Sequence, residues 1–332
     1  MTTKINKNLE LADNNIIINK SLCEINVVHH CNLSCRGCTH LSPIWSKVFV
    51  DPKTLLADLR TLAGFYRAEK VGLMGGEPLL HPDILAVIGA VRGSGITCRV
   101  VIVTNGLLLW KMSDGFWDEV DEVRVSIYPG KRMTPKQLRI CQRKAQRYNV
   151  SLKVSNYDRF RESYAELGTT DEGLIERIYN TCLLVHRWNC HTIDNHYFYK
   201  CPQSLFLSKL LGDKFPSPHI DGIQIVDSPT FSEELRAYLE SPYPLASCKY
   251  CLGATGKIYQ HEQVERSAFR QSQHARIEDL IDMDQLAVLE QDLDAGDINF
   301  GCGKYRYWLF LRKMKHMMKW GYRELARSLG LT

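Results

Sequence analysis

The residues with the most chemical potential in this chain are its cysteines, twelve among 332 residues. Cys31-Asn32-Leu33-Ser34-Cys35-Arg36-Gly37-Cys38 puts three thiols on eight consecutive residues, so one loop can wrap three corners of a metal centre. Three ligands do not close a four-ligand site. A structural zinc ion would need a fourth, which His29, His30 or His40 could supply. An iron–sulfur cluster on three cysteines would instead leave one iron open. A second set contains Cys248-Lys249-Tyr250-Cys251, the two-residue spacing with which two thiolates reach one metal. Cys182 and Cys201 precede that pair by 66 and 47 positions, gaps that only a fold can close, and Cys190 competes with Cys182 for its place. Cys23, Cys98 and Cys141 fall in or near strand and helix patterns and read as small buried thiols. Cys302, between Gly301 and Gly303, is a thiol on flexible backbone and a candidate hydrogen-atom donor to a substrate.

Parallel strands are the elements that would position these groups. Short β-branched runs cover Cys23 to His29, Lys70 to Met74, Arg99 to Val103, Glu122 to Ile127 and Ser151 to Ser155. Helix-period stretches fill the intervals at Pro52 to Ala68, Ile84 to Val91 and Pro135 to Tyr148. Strands and helices that alternate in this way predict a parallel sheet with crossover helices. Four strands run into polar or glycine-rich turns: His30-Cys31-Asn32, Gly75-Gly76-Glu77-Pro78, Thr104-Asn105-Gly106 and Tyr128-Pro129-Gly130. Ligands collect outside the C-terminal ends of such strands. Beyond about Gly168 the pattern changes to a loop-rich region punctuated by cysteine, proline and serine. It predicts an organisation built on a metal centre rather than on a large apolar core.

Composition narrows the class. The chain is 45% hydrophobic and 24% charged, an ordinary globular balance. No run of 18 apolar residues is present to cross a membrane, and Met1 to Lys20 shows no apolar signal-peptide core. The expected location is the cytoplasm, where clustered cysteines serve as metal ligands or catalytic groups more often than as disulfides. From Lys304 onward eight basic residues face the single acid Glu324. That segment therefore carries +7 of the net +5 and the remainder about −2. The body has no nucleic-acid charge footprint, which also counts against a zinc-binding nucleic-acid module.

The order Cys-x3-Cys-x2-Cys after the first strand, Gly75-Gly76-Glu77-Pro78 after the next and Val103-Thr104-Asn105-Gly106 after the third resembles the radical S-adenosylmethionine (SAM) superfamily over residues 20 to 160. The resemblance implies an α/β fold, a partial (β/α)6 radical SAM barrel. It also implies a [4Fe–4S] cluster on Cys31, Cys35 and Cys38 whose open iron chelates SAM. Gly75, Gly76, Glu77 and Pro78 would meet the cofactor's amino group, and Asn105 and Ser126 its ribose or carboxylate. Gly37 departs from the pattern, because the residue before the third cysteine is usually aromatic in this family and packs near the adenine. The later cysteines resemble the twitch-type subgroup that includes 2-deoxy-scyllo-inosamine dehydrogenases. In that subgroup two separated cysteines and a Cys-x2-Cys pair hold a second, auxiliary [4Fe–4S] cluster. Cys182, Cys201, Cys248 and Cys251 match that order, with Cys190 as the rival ligand. The longer SPASM pattern requires a further cysteine where this chain has Lys257.

On this resemblance the chain divides into an N-terminal extension (1–20), a radical SAM partial barrel core (21–168), a smaller region (169–303) that completes the barrel and carries the auxiliary cluster, and a basic amphipathic C-terminal helix (304–332). The activity implied is cleavage of SAM to a 5′-deoxyadenosyl radical and abstraction of hydrogen from a carbohydrate or aminocyclitol. Dehydrogenation with the auxiliary cluster as electron acceptor is the leading reaction. Epimerisation with Cys302 as hydrogen donor is the alternative, as in neomycin C epimerases, and peptide modification is a further one. Such chemistry belongs to antibiotic or polysaccharide biosynthesis. It calls for a flavodoxin- or ferredoxin-type reductant and a saccharide substrate, a lipid-linked one included. Glu122, Arg124, Lys153, Asn156, Tyr157 and Tyr128 are candidates for bonding a polyol at later strand ends. Tyr305 to Leu329 carries apolar residues at helical spacing with basic residues largely opposite, which predicts a helix able to lie on an anionic membrane surface.

Overall fold

The computed structural model describes residues 8–12 and 16–294. Cys302 and the basic segment from Lys304 onward lie outside the described residues. Two compact units divide the chain, Met1–Leu286 and Ala287–Thr332.

A short strand β1 (Leu9–Leu11) pairs antiparallel with β2 (Ile17–Val28). Next come α1 (Pro52–Ala63), β3 (Tyr66–Gly75), α2 (Ile84–Ser94), β4 (Val100–Thr104), α3 (Asp114–Glu119), β5 (Glu122–Ile127), α4 (Pro135–Arg147) and β6 (Ser151–Asn156). Strands β2 to β6 are parallel neighbours in chain order, as the alternating pattern predicts. Helix boundaries follow local chemistry. Asp51 accepts the Thr54 N–H with Pro52 at the first turn of α1, Asp83 caps α2 through the Ala86 N–H, and Thr134 and Gln137 form a capping box around Pro135 on α4. The expected helix Pro52 to Ala68 stops earlier, at the Gly64 cap. Its last residues belong to β3, where Tyr66 and Ala68 turn inward while Arg67 and Glu69 face out.

Both faces of the central strands are covered, so they read as near-continuous apolar runs. Ile25, Val27, Val71, Leu73, Val100, Ile102 and Val123 are buried with Leu59 and Leu62 of α1 and Val87 and Val91 of α2 in one core. Cys23 and Cys141 join it as expected, whereas Cys98 is exposed. Cys98 lies in the loop before β4 rather than on the strand, which is why its thiol escapes burial.

After β6 comes β7 (Arg159–Arg161), followed by α5 (Glu172–Asn180), α6 (Leu183–His186), β8 (Thr192–Asp194), β9 (Tyr197–Tyr199), α7 (Pro202–Leu210), β10 (Gly222–Gln224), α8 (Phe231–Glu240) and β11 (Ile258–Gln260). The short strands are regular after all. β8 adds to the free edge of β2 in parallel, β9 and β10 extend that edge antiparallel, and β11 pairs with β7. The sixth parallel strand thus flanks β2 instead of following β6 in spatial order. Among the described residues no helix is long and apolar enough to cross a membrane.

Candidate functional site

The strand-end turns meet in one place. β2 ends at Val28 and the cysteine loop leaves from it, folded by turns in which Cys38 N–H donates to Cys35 O (3.2 Å) and Leu41 N–H to Cys38 O (2.9 Å). The end of β3 presses directly against this departure. Gly76 N–H donates to Val28 O (2.7 Å) and Glu77 N–H to His30 O (3.2 Å). A Cβ on Gly75 would stand 2.2 Å from Val28 O, and one on Gly76 would stand 2.0 Å from His30 O. The two glycines are therefore needed where two backbones touch, and φ +134° at Gly75 adds to the requirement there.

Glu77 ties this turn to the end of β4. Its buried carboxylate accepts from Thr104 Oγ1 (2.6 Å), Asn105 N–H (2.8 Å) and Leu79 N–H (3.1 Å). Burial pushes its carboxyl up to about 7 against the pull of those three donors. Asn105 then points back at the cysteine loop, with Nδ2 2.7 Å from Asn32 Oδ1 and 3.8 Å from Cys31 Sγ.

A cavity of about 150 Å³ opens between these turns. Cys31, Cys35 and Cys38 line it, and so do Gly75, Gly76, Asn105 and Ser126. Glu77 and Pro78 are not among the lining residues; they sit behind the wall. Of the three histidines considered for zinc, His40 lines the cavity, while His29 bonds Asp194 (3.4 Å) and His30 packs edge-on against Phe49 (5.2 Å). His40 Nε2 is buried there with no hydrogen-bond partner. Burial pushes the Cys31 and Cys35 thiols up to about 12, so a bound cation must supply the charge that ionises them. The three thiols fit a metal cluster with an open coordination place, while the unpartnered imidazole of His40 is the one histidine of the three at the cavity. Tyr128 and Phe160 complete the lining on the far side. The expected polyol contacts divide: Tyr128 lies at the cavity, but Glu122 opens β5 at the opposite end of the sheet, where Arg124 (2.5 Å) and Lys153 (2.9 Å) pair with it. Their charges serve that ion-pair group and do not reach the pocket.

Residues 25–170 match the model of the radical SAM superfamily. Over that segment, somewhat less than half of its length, this chain is similar to the radical SAM superfamily. Among curated relatives, a GTP 3′,8-cyclase 3 of Mycobacterium bovis is 34% identical over 95 residues, 26% of this chain and 24% of that protein. A GTP 3′,8-cyclase of Microcystis aeruginosa is 29% identical over 103 residues, 28% of this chain and 30% of that protein. The chain thus spans under a third of the length of the curated relatives it matches. Among solved structures, BtrN in complex with AdoMet and 2-DOIA aligns with TM-score 0.42 and 16% identity, covering 70% of this chain and 92% of that one.

The matched segment is followed by the second cysteine set, which the fold also gathers. Cys182 follows α5, Cys201 precedes α7, and Cys248 and Cys251 bracket the end of a short 3-10 turn over Ala246–Tyr250. Cys182 and Cys201 are buried together with Tyr179 and Val185, and Cys248 packs against them. The thiols of Cys182 and Cys201 both raise that of Cys251, after burial itself. Asp221 fixes the turn by accepting from Ala246 N–H (2.7 Å) and Ser247 N–H (2.8 Å). Gly253 approaches closely enough that its Cβ would lie 3.7 Å from Cys182 Sγ. Cys190 lies near the same thiols, since Cys201 and Cys182 raise its own after burial and Glu24, but its thiol is also bonded to the Glu24 carboxyl. Among the described residues no three His, Cys, Asp or Glu side chains close on a single-ion site. A cubane places each thiolate on its own iron and needs them farther apart than one ion does.

Spacing could not find several residues that shape both sites. Gln263 Nε2 donates to Cys35 Sγ (3.1 Å) from 228 positions away. Tyr259 donates its hydroxyl to Arg36 O (3.0 Å), and that hydroxyl would lie 2.0 Å from a Cβ on Gly37. A side chain at position 37 would meet Tyr259, and φ +60° there favours glycine as well. Lys200, next to Cys201, is buried with Nζ donating to Tyr179 Oη (3.2 Å) and Ser241 O (2.9 Å).

Proposed function

We propose that the cavity binds SAM against a [4Fe–4S] cluster held by Cys31, Cys35 and Cys38, and that the enzyme removes hydrogen from a C–H bond of a carbohydrate or aminocyclitol and oxidises that carbon. The observation that carries this reading is the convergence of the three thiols, the Gly75–Gly76 backbone, Asn105 and Ser126 on one cavity at the C-terminal ends of parallel strands. When bound, the cluster and cofactor supply a carbon-centred radical that can take a hydrogen atom from an unactivated carbon. The chain's own part is to place the substrate and exclude water. The backbone at Gly75–Gly76 and the side chains of Asn105 and Ser126 offer polar groups to the cofactor, while Tyr128 and Phe160 close the apolar side.

Oxidation of an alcohol carbon needs one hydrogen atom removed, then a proton from the hydroxyl and one further electron. Cys182, Cys201, Cys248 and Cys251 would hold the group that receives that electron. Four protein ligands leave such a group no place to bind substrate, which supports the dehydrogenase reading. The relatives named GTP 3′,8-cyclase share about a hundred residues with this chain, too short a segment to carry their substrate over. The substrate class here rests on the likeness of the second cysteine set.

The test is iron, sulfide and 5′-deoxyadenosine measured after anaerobic reconstitution, on the parent and on the Cys31/Cys35/Cys38 triple alanine variant. About eight irons falling to about four, with SAM cleavage abolished, is the expected result. Zinc in place of iron, or cleavage that survives the triple change, overturns it.

A further inference from the structure

Lys200 is 2% exposed, and both hydrogen-bond partners of its ammonium, Tyr179 Oη and Ser241 O, are neutral. The rings of Tyr179 and Tyr238 flank it at 5.9 and 5.8 Å. Burying a cation without an opposite charge is costly, and partner hydroxyls and carbonyls offset only part of that cost. A fold that keeps one in such a place needs a negative charge nearby. The adjoining groups able to become anionic are the second set of thiols: Cys201 is the next residue, and Tyr179, which holds the ammonium, packs with Cys182, Cys201 and Cys248.

We infer that Lys200 is the built-in counter-charge of the group carried by Cys182, Cys201, Cys248 and Cys251, a positioning residue that sets how readily that group accepts an electron. The inference rests on the reading of those cysteines as holders of an iron–sulfur cluster. Four thiolates leave such a cluster net negative, and reduction adds one more negative charge. A fixed cation beside it therefore stabilises the reduced form more than the oxidised one and raises the reduction potential. That is the direction an electron acceptor needs. Once the 5′-deoxyadenosyl radical has taken the hydrogen atom, the carbon radical left behind would give one electron to the oxidised group and its hydroxyl proton to solvent, which leaves a C=O bond.

The test uses the full chain with Cys31, Cys35 and Cys38 replaced by alanine, so that only the second set reports. Lys200→Met, Lys200→Gln and Lys200→Arg are compared with that parent by iron content and by redox titration followed by electron paramagnetic resonance. In the two neutral variants the reduced-to-oxidised ratio at a given potential falls about tenfold, equivalent to about 59 mV for a one-electron couple, while Lys200→Arg stays within about twofold. If Lys200→Met does not fold, Lys200→Gln, whose amide can still donate to Tyr179 and Ser241, carries the comparison. A parent that fails to hold about four irons refutes the cluster reading itself. A parent that holds them, with the neutral variants at its midpoint, refutes the role of Lys200 alone.

Discussion

Replacing Gly76 with alanine tests how the cavity wall is made. The added Cβ would sit 2.0 Å from His30 O, 2.3 Å from His30 C and 2.8 Å from Cys31 N, all of them backbone atoms that no side-chain rotation can clear. To reach ordinary contact at 3.4 Å the end of β3 and the start of the cysteine loop must part by about 1.4 Å. Overpacking of this kind costs about 1–3 kcal/mol of stability, and a misplacement near 1 Å in a reacting site costs about 100-fold in rate. The assay is 5′-deoxyadenosine formed per minute by reconstituted enzyme, with iron content and chemical denaturation measured in parallel. Gly76→Ala is expected to lose about two orders of magnitude in SAM cleavage while the iron attributed to the second cysteine set stays. Gly89→Ala provides the control. Gly89 lies exposed in α2 with nothing within 4 Å of its Cβ, so alanine there should stabilise by about 0.5–1 kcal/mol and leave cleavage alone. Parental cleavage and stability in Gly76→Ala would refute the claim that backbone contact between β2 and β3 builds the site.

Three further outcomes follow from the same geometry. Cys182→Ser should lose about four irons per chain and Cys190→Ser none, because Cys182 packs with Cys201 and Cys248 while the Cys190 thiol is bonded to Glu24; equal losses would reverse the ligand choice. Glu77→Gln turns an amide toward one of three donors and leaves one buried group unpaired, at about 1–3 kcal/mol. A lower melting temperature and weaker SAM binding by equilibrium dialysis are expected, and parental values in both would show that the clip between β3 and β4 does not matter. For Asp194, burial alone raises the carboxyl, but the His29 hydrogen bond and the Lys209 ammonium outweigh it and hold the group below its ordinary value. A carboxyl depressed in the folded state adds stability above its unfolded value, near 3.8, and loses it as pH falls through the folded one. Asp194→Asn should therefore destabilise at pH 7, with the gap to the parent closing below about pH 4 in denaturation series. A gap that is constant with pH would remove the electrostatic account.

What the sequence makes legible and what it hides divide along one physical line. Cys31, Cys35 and Cys38 sit on one loop, and the Gly75–Gly76 and Asn105–Gly106 turns each follow their strand directly, so pattern alone places them at one end of a parallel sheet. Glu122 misleads although the run Glu122 to Ile127 already begins with it: a strand's first residue lies at the end of the sheet away from the cavity. Gln263, Tyr259 and Lys200 are invisible for a different reason: each acts on residues far away in sequence and carries no local signature. Gly37 was the one trace, an expected aromatic replaced by the residue with no side chain, at a place where a side chain would meet Tyr259. β11 begins only seven residues after Cys251, and the segment that continues from it roofs the first cysteine loop. Tyr259 bonds Arg36 O and lies under the Arg36 guanidinium at 4.3 Å, Glu262 pairs with Arg36 at 2.9 Å, and Gln263 bonds Cys35. The Cys248–Cys251 turn and the first cysteine loop are thus joined through one short stretch of chain. Where this chain has Gly37, packing on the outside of the loop comes from Tyr259, Glu262 and Gln263, residues that follow the Cys248–Cys251 turn in sequence.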